Sequence, residues 1–424
     1  MRKLLLATSA LLGASVGIAG VANAGTLSPN APNPAPGSIT VTLNALVEAF
    51  GIAGTDSGNS TGGVKRADYA IASYARLYPS FDGVLSNGLK YGGSIEIRQN
   101  SGANTQGINT LSTGFGQPAT LFIQREFIYI GADKFGKIAL GTPVQPSELF
   151  QTGNEVGFNT GGWDGDVNGF FTGTTGLRYM IDDDNDRAEK VVYTSPQFAG
   201  VDFGVSFEPN NNSNNEFGSQ SGRVTSAPFD TEGAGLGRRR DTIDGSIRYQ
   251  AAFGPIGFKT NAAASYGATI RTNSPAPDGT TRNNRNFTLY GGGAAVTYAG
   301  FELGGHIDSG VYGDDLSNIP RGSTGTTAYI AGGQYTVGPF VMGANYYAYD
   351  SGEFKGLAGN RGGLHAYGVA AGGTYTLAPG ASIFLEYLFG QQHASGTDMT
   401  NETASSAHNH VRAQAFGIGS AFKW

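Results

Sequence analysis

Period-two alternation, broken at regular intervals, constrains this chain more than any other feature. In its last segment, Phe416, Ile418, Phe422 and Trp424 occupy one face while Gly417, Gly419, Ala421 and Lys423 occupy the other. A repeat of two is that of a β-strand, whose successive side chains point to opposite faces. One apolar face beside a small or polar one is the pattern of a strand in a membrane barrel. A strand that finishes on Trp needs a cover for that ring, and Trp sits well at the headgroup level of a bilayer.

Sixteen such segments are expected. The first five fall at about 38–50, 68–81, 89–100, 119–131 and 137–142. Five pairs then flank tight turns at 195–200, 253–257, 298–300, 336–339 and 378–380, and 409–424 closes the count. Every second connection is short and built on Gly, Pro or Asp, the residues that supply turn geometry. The others are long and polar: 51–67, 101–118, 143–188, 210–241, 270–285, 309–325, 351–362 and 391–408. Short turns on one rim and long loops on the other is the asymmetry of an outer-membrane barrel. A soluble β-sandwich of this length would divide into several domains, and no linker follows the Pro-rich leader at 25–37.

The opposite end is consistent with export. Met1-Arg2-Lys3 precedes an apolar run, and Ala22-Asn23-Ala24 is a small-x-small site, so residues 1–24 read as a signal peptide, 25–37 as a leader and 38–424 as the barrel. The absence of Cys removes disulfides, thiolate metal sites and cysteine nucleophiles. No later apolar run approaches the length of a spanning helix. The 27 basic residues less Arg2 and Lys3, against 33 acidic ones, leave a net of −8, which disfavours nucleic acid as a partner.

Two stretches carry a family resemblance. Arg125-Glu-Phe-Ile-Tyr-Ile-Gly131 followed by Phe135-Gly136-Lys-Ile-Ala-Leu-Gly141 resembles the fourth-to-fifth strand hairpin of Gram-negative general diffusion porins. Arg187-Ala-Glu-Lys-Val-Val-Tyr193-Thr-Ser-Pro-Gln-Phe198-Ala-Gly-Val-Asp-Phe203 is similar to their sixth-to-seventh hairpin. The resemblance implies a 16-stranded, homotrimeric porin in the outer membrane, passing small hydrophilic solutes and ions without a cofactor. It also implies that Phe416, Ile418, Phe422 and Trp424 form the signal read by the barrel-assembly machinery, and that the third long loop folds into the barrel. The chain departs from the family in having Gly141-Thr142-Pro143 where members often carry Gly-Arg, so one basic residue near the eyelet is missing.

That third loop is acidic. Between Pro143 and Arg187 stand Glu148, Glu155, Asp164, Asp166, Asp182, Asp183, Asp184 and Asp186, against Arg178 and Arg187. Carboxylates in a narrow pore concentrate cations and repel anions, so Glu148, Glu155, Asp164 and Asp166 are the candidate constriction residues. On an outward loop the same charges would only be a solvated surface. The facing basic wall is expected from Arg76, Arg98 and Arg125. Arg76 shares parity with Tyr74 and Tyr78, and Arg98 with Glu96 and Ser94, which turns both to the lumen. Beside Glu96, Arg98 also reads as a paired wall residue irrelevant to conduction. Arg125 is ambiguous, because Phe127 and Tyr129 share its parity; a β-bulge or a protomer contact would resolve this.

Other signals carry less. Asp182-x-Asp184-x-Asp186 lacks the Gly and the distal Glu of an EF-hand. Gly233-x-Gly235-x-Gly237 has no strand-to-helix context for a dinucleotide, and Arg238, Arg239 and Arg240 after it read as a loop or lumen-entry patch. His408-x-His410, with His393 in the last loop, has metal-ligand character, although polar-loop histidines are more often unliganded. A sugar- or anion-selective porin is the alternative reading, and an outer-membrane hydrolase a remoter one. The hydrolase would need His306, His365, His393, His408 or His410 as its base, and none stands by a distinctive nucleophile motif.

Overall fold

A computed structural model of the chain describes residues 35–58, 65–100, 120–154, 162–171, 176–181, 188–210, 239–269, 284–313, 323–352, 363–395 and 408–424, with a few short stretches between them. The expected signal peptide, nearly all of the leader, Glu155, the Asp182–Asp186 run, the 233–237 glycines and Arg238 lie outside the described residues.

Sixteen antiparallel strands form a closed barrel in chain order. They are β1 (Ile39–Asp56), β2 (Tyr69–Val84), β3 (Lys90–Asn100), β4 (Thr120–Ala132), β5 (Gly136–Gly141), β6 (Lys190–Thr194), β7 (Val201–Asn210) and β8 (Arg239–Phe253). The second half comprises β9 (Ile256–Thr269), β10 (Phe287–Tyr298), β11 (Phe301–Val311), β12 (Thr326–Val337), β13 (Phe340–Ser351), β14 (Leu364–Ala378), β15 (Ala381–Ala394) and β16 (His410–Lys423). Each strand pairs with its sequence neighbours, so the order follows from local hairpins. Two of these turn on Ala-Gly: Ala199 and Gly200 have φ of 50° and 86°, and Ala299 and Gly300 have 49° and 85°. Successive positive φ values match the twist of the flanking strands, and Gly adopts them without the Cβ penalty that Ala bears.

Closure joins β16 to β1, with Leu46 opposite Lys423 and Asp56 opposite Ala413. The Ala45 N–H donates to the Trp424 carbonyl at 3.0 Å and the Trp424 N–H returns the bond at 3.2 Å, so the final residue lies within the closing seam. The first strand runs past the expected break at Gly51. Gly54 explains the extension, because a Cβ there would lie 2.2 Å from the Gln414 carbonyl oxygen. It marks a close approach of β1 to β16 rather than a loop.

The wall is apolar outside. Phe416, Ile418, Phe422 and Trp424 all point outward and are exposed, as are Ile71 on β2 and Ile128 on β4. Inside, the barrel holds a hydrophobic core, which a water-filled tube would lack. Phe50, Phe384, Leu388 and Val411 of the wall are buried against Trp163, Val167, Leu177 and Ile181 of the third long connection. Three of the connections read as plain polar loops contain short strand pairs, Ser226–Ala227 with Arg271–Thr272 and Thr397–Asp398 with Thr403–Ala404.

Candidate functional site: the luminal constriction

The third connection begins with Thr142, at the departure from the resembling family. Its hydroxyl accepts the Glu126 N–H at 2.7 Å, and its own N–H donates to the Glu126 carbonyl at 2.8 Å. Thr142 therefore completes the β4 edge and is fully buried, so its side chain pins the wall. A one-turn helix, α1 (Pro146–Leu149), follows, with Pro in the first turn where its missing N–H costs nothing. The Ser147 N–H donates to Asp244 Oδ1 at 2.9 Å, and the Ser265 hydroxyl bonds the same carboxylate. Phe150 and Pro146 press on inward-facing Gly204, and the Arg248 guanidinium, paired with Asp202 at 2.6 Å, lies 4.7 Å from the Phe150 ring centre.

The segment then crosses the barrel along a track of inward-facing glycines. A Cβ at Gly293 would lie 1.9 Å from the Thr152 carbonyl oxygen, and one at Gly304 3.0 Å from the Gly153 Cα. Buried His306 holds the same point, its Nδ1 donating to the Thr152 carbonyl at 2.9 Å, with Asp308 Oδ1 3.2 Å from Nε2. Farther round, Trp163 and Leu177 sit on Gly368 and Gly390, and Val167 sits on Gly417. Tyr347 ties the returning arm, its hydroxyl donating to the Arg178 carbonyl at 2.7 Å and accepting the Met180 N–H at 2.6 Å. Gln392 donates to the Gly176 carbonyl at 2.7 Å. Asn168 braces the segment internally through the carbonyls of Trp163 at 3.1 Å and Leu177 at 2.9 Å.

With its apolar face against the wall, the segment turns two short 3-10 helices, Gly162–Asp164 and Asp166–Phe170, so that Asp164 is exposed and Asp166 half-buried. Asp166 Oδ1 lies 4.0 Å from Arg76 Nη2 on β2. Enclosure within the barrel, then the charges of Glu148 and Asp166, push the Asp164 carboxyl up to about 7, against the pull of Arg76 and Arg98. Because Asp164 keeps surface open to lumen water, the dehydration part of that rise is smaller than its enclosure implies, and the direction carries the argument.

The other expected residues separate. Glu148 lies at the foot of the segment, 3.5 Å from Arg125 Nη2, and Arg125 Nη1 lies 3.6 Å from Glu96 Oε2. Arg98 pairs with Glu96 as well. Arg125 faces inward in unbroken register with buried Phe127, and a bulge at Gln124 turns Leu121 and Ile123, of the same parity, outward. The Arg125 side chain is only 1% exposed, so it belongs to an ion cluster under the segment and not to the open wall. Arg76 and Arg98 face the lumen and are partly exposed, as their parity indicated. The sequence reading missed Glu48 and Glu386, two buried inward carboxylates on β1 and β15, with the Tyr74 hydroxyl donating to Glu48 at 3.0 Å. Their inward parity was legible; which wall residues the segment would cover was not.

A family model described as Gram-negative porin matches residues 7–395. Uncharacterized protein RP068 of Rickettsia prowazekii (strain Madrid E) is 25% identical over 263 residues, which are 50% of this chain and 59% of that protein, so the match spans little more than half of the relative's length. The anion-selective porin from Comamonas acidovorans superposes with a TM-score of 0.54 at 17% identity, covering 91% of this chain and 100% of that one. A loop-deletion mutant of OmpT from Vibrio cholerae gives 0.53 at 15% identity, covering 91% and 99%. The outer membrane channel DcaP of Acinetobacter baumannii gives 0.52 at 12%, covering 91% and 97%. Identities this low speak to the fold alone. The family match across most of the chain, together with a closed 16-stranded barrel, places this protein in the Gram-negative porin family as an outer-membrane channel.

Proposed function

We propose that the channel passes small hydrophilic solutes and ions by passive diffusion and favours cations. The observation that carries this reading is the position of Asp164 and Asp166. The inward segment holds both on its free face, while two of the three basic wall residues are engaged by acids: Arg98 by Glu96, and Arg125 by Glu96 and Glu148. The third, Arg76, lies 4.0 Å from Asp166. A permeating ion therefore meets carboxylates whose field is only partly cancelled, and in a narrow low-dielectric pore that field raises the local cation concentration. The anion-selective character named for the Comamonas protein belongs to a chain sharing 17% of its residues with this one, and it favours no second reading here.

The exported barrel is taken to assemble as a homotrimer in outer-membrane lipid, with Phe416, Ile418, Phe422 and Trp424 as the signal for the assembly machinery. Planar-bilayer recording under a salt gradient tests the ion preference. The wild-type reversal potential should have the sign of cation preference, and D164N/D166N should move it towards zero. Anion preference in the wild type, or a potential unmoved in the double variant, refutes the acidic constriction.

A further inference from the structure

The outer wall near the long-connection rim carries a row of histidines that the channel does not use. Asp350, His365, His393 and His410 stand directly opposite one another on four successive strands, β13 to β16. All four share the outward parity of Tyr346, Tyr367, Tyr387 and Phe416. They lie on the aqueous side of the Tyr387–Gln414 pair, whose hydrogen bond is 3.0 Å, and of the Tyr367–Gln391 contact.

The ladder geometry makes one pair special. The Ala394 N–H donates to the Asn409 carbonyl at 2.9 Å, which makes His393 and His410 a non-hydrogen-bonded pair, the kind whose side chains approach most closely. Cβ atoms in such a pair are about 4.5–5.5 Å apart, and the two rings stand 6.3 Å apart. His365 lies directly opposite His393 on the other side. Its Nδ1 bonds the Asp350 carboxylate, which fixes the tautomer with the proton on Nδ1 and leaves Nε2 as a lone-pair donor. A carboxylate behind a histidine is the usual support of a metal-ligating imidazole.

We infer that His393 and His410 bind a divalent transition-metal ion, with His365 as third ligand oriented by Asp350. Imidazole donors suit Zn2+, Cu2+ and Ni2+ and discriminate against Mg2+, which prefers oxygen. No three such donors already converge on one point among the described residues. Convergence needs His365 and His410 to lean over His393, since neighbouring strands are about 4.7–4.9 Å apart. Exposure permits this, His365 being 65% and Asp350 63% exposed. The histidine motif read from sequence paired His408 with His410; instead His408 Nδ1 lies 2.9 Å from Asp398 Oδ2, away from the row. An ion on His393 and His410 would join the end of β15 to the start of β16 and close the neck of the last long connection.

Calorimetric titration of the intact barrel in detergent with Zn2+, repeated in excess Mg2+, tests the site. One Zn2+ should bind per chain, undiminished by Mg2+, and His408→Gln should leave the affinity unchanged. Asp350→Asn should weaken binding about 10- to 100-fold, the usual cost of losing an outer-shell partner, and His393→Gln or His410→Gln should weaken it further. Cu2+ loaded at the site should show nitrogen hyperfine coupling by paramagnetic resonance, reduced in each histidine variant. Less than one Zn2+ per chain, binding that survives the H393Q/H410Q double variant, or full displacement by Mg2+ overturns the inference. An affinity unchanged in His365→Gln removes the third ligand.

Discussion

If inward glycines hold the constriction segment in place, a single methyl group on one of them should loosen the pore. Gly390 is the cleanest position, because the three atoms nearest a Cβ there all belong to the segment: Leu177 Cγ and Trp163 Cη2 at 2.8 Å, and Leu177 Cδ1 at 3.0 Å. Ordinary contact begins near 3.4 Å, so Gly390→Ala must push Trp163 and Leu177 off the wall by about 0.6 Å. Overpacking of a filled core costs about 1–3 kcal/mol, which lowers the ratio of seated to displaced segment about 5- to 150-fold. Trp163 adjoins Asp164 in the chain, so the carboxylate moves with it. Single-channel recording should show raised open-channel noise, larger mean conductance and weaker cation preference. Gly51→Ala is the control, since nothing lies within 4 Å of a Cβ there. Leu177→Ala in the Gly390→Ala background relieves two of these three contacts and should restore part of the quiet conductance, the Trp163 contact remaining. A Gly390→Ala channel indistinguishable from wild type would refute the proposed docking of the segment on the glycine track.

Other outcomes follow from the same contacts. Arg125→Ala removes the cation shared by Glu96 and Glu148, leaving Glu96 to Arg98 alone, and should cost about 3–5 kcal/mol at most, seen as earlier protease cleavage near α1 and a lower unfolding temperature; unaltered resistance would mean that the cluster holds nothing. Cation preference should fall as pH drops through about 7, because the raised Asp164 carboxyl is neutral below that value and charged above it. Reversal potentials measured across this range in wild type and Asp164→Asn check it, since the variant should lose the step. Deleting Phe422 to Trp424 removes the Ala45–Trp424 bonds and the outward aromatics of the last turn. Membrane insertion should fall sharply, while the molecules that do insert keep near-normal conductance; normal insertion would dismiss the terminal signal.

The barrel was legible because each strand announces its own faces and each hairpin its own turn. Parity alone turned Arg76 and Arg98 inward, and the Ala-Gly and Pro-Gly turns fixed which strands are neighbours. Arg125 shows where parity stops. It shares the inward face of Phe127, and only the extra residue at the bulge, Gln124, lets Leu121 and Ile123 of the same parity face outward; nothing local in the sequence marks that insertion. The ion cluster was hidden for a second reason. Glu96 and Glu148 are 52 residues apart in the sequence and meet at Arg125 only after the third connection folds back. The histidine row is of the same kind, because His365, His393 and His410 become neighbours through two strand-pair registers and no single motif contains them.

The glycine content has two sources that composition alone merges. Some glycines make turns, as Gly200 and Gly300 do at positive φ. Others stand in strands where φ is ordinary, a place that normally disfavours them, since Gly weakens a strand interior. Gly293, Gly304, Gly368, Gly390 and Gly417 all face inward, and each lies beneath an atom of the third connection. That arrangement answers a physical problem. A segment crossing a barrel must bury its own backbone and aromatic side chains against a curved wall, and ordinary side chains would hold it off by several ångströms. Removing them brings the wall backbone close enough for Trp163, Leu177 and Val167 to be buried, while Tyr347, Gln392 and His306 supply hydrogen bonds to the segment's backbone. The same packing leaves the opposite face of the segment, with Asp164 and Asp166, turned to the lumen. The carboxylate-bearing face of the segment and the glycine-rich wall are therefore two sides of one packing solution.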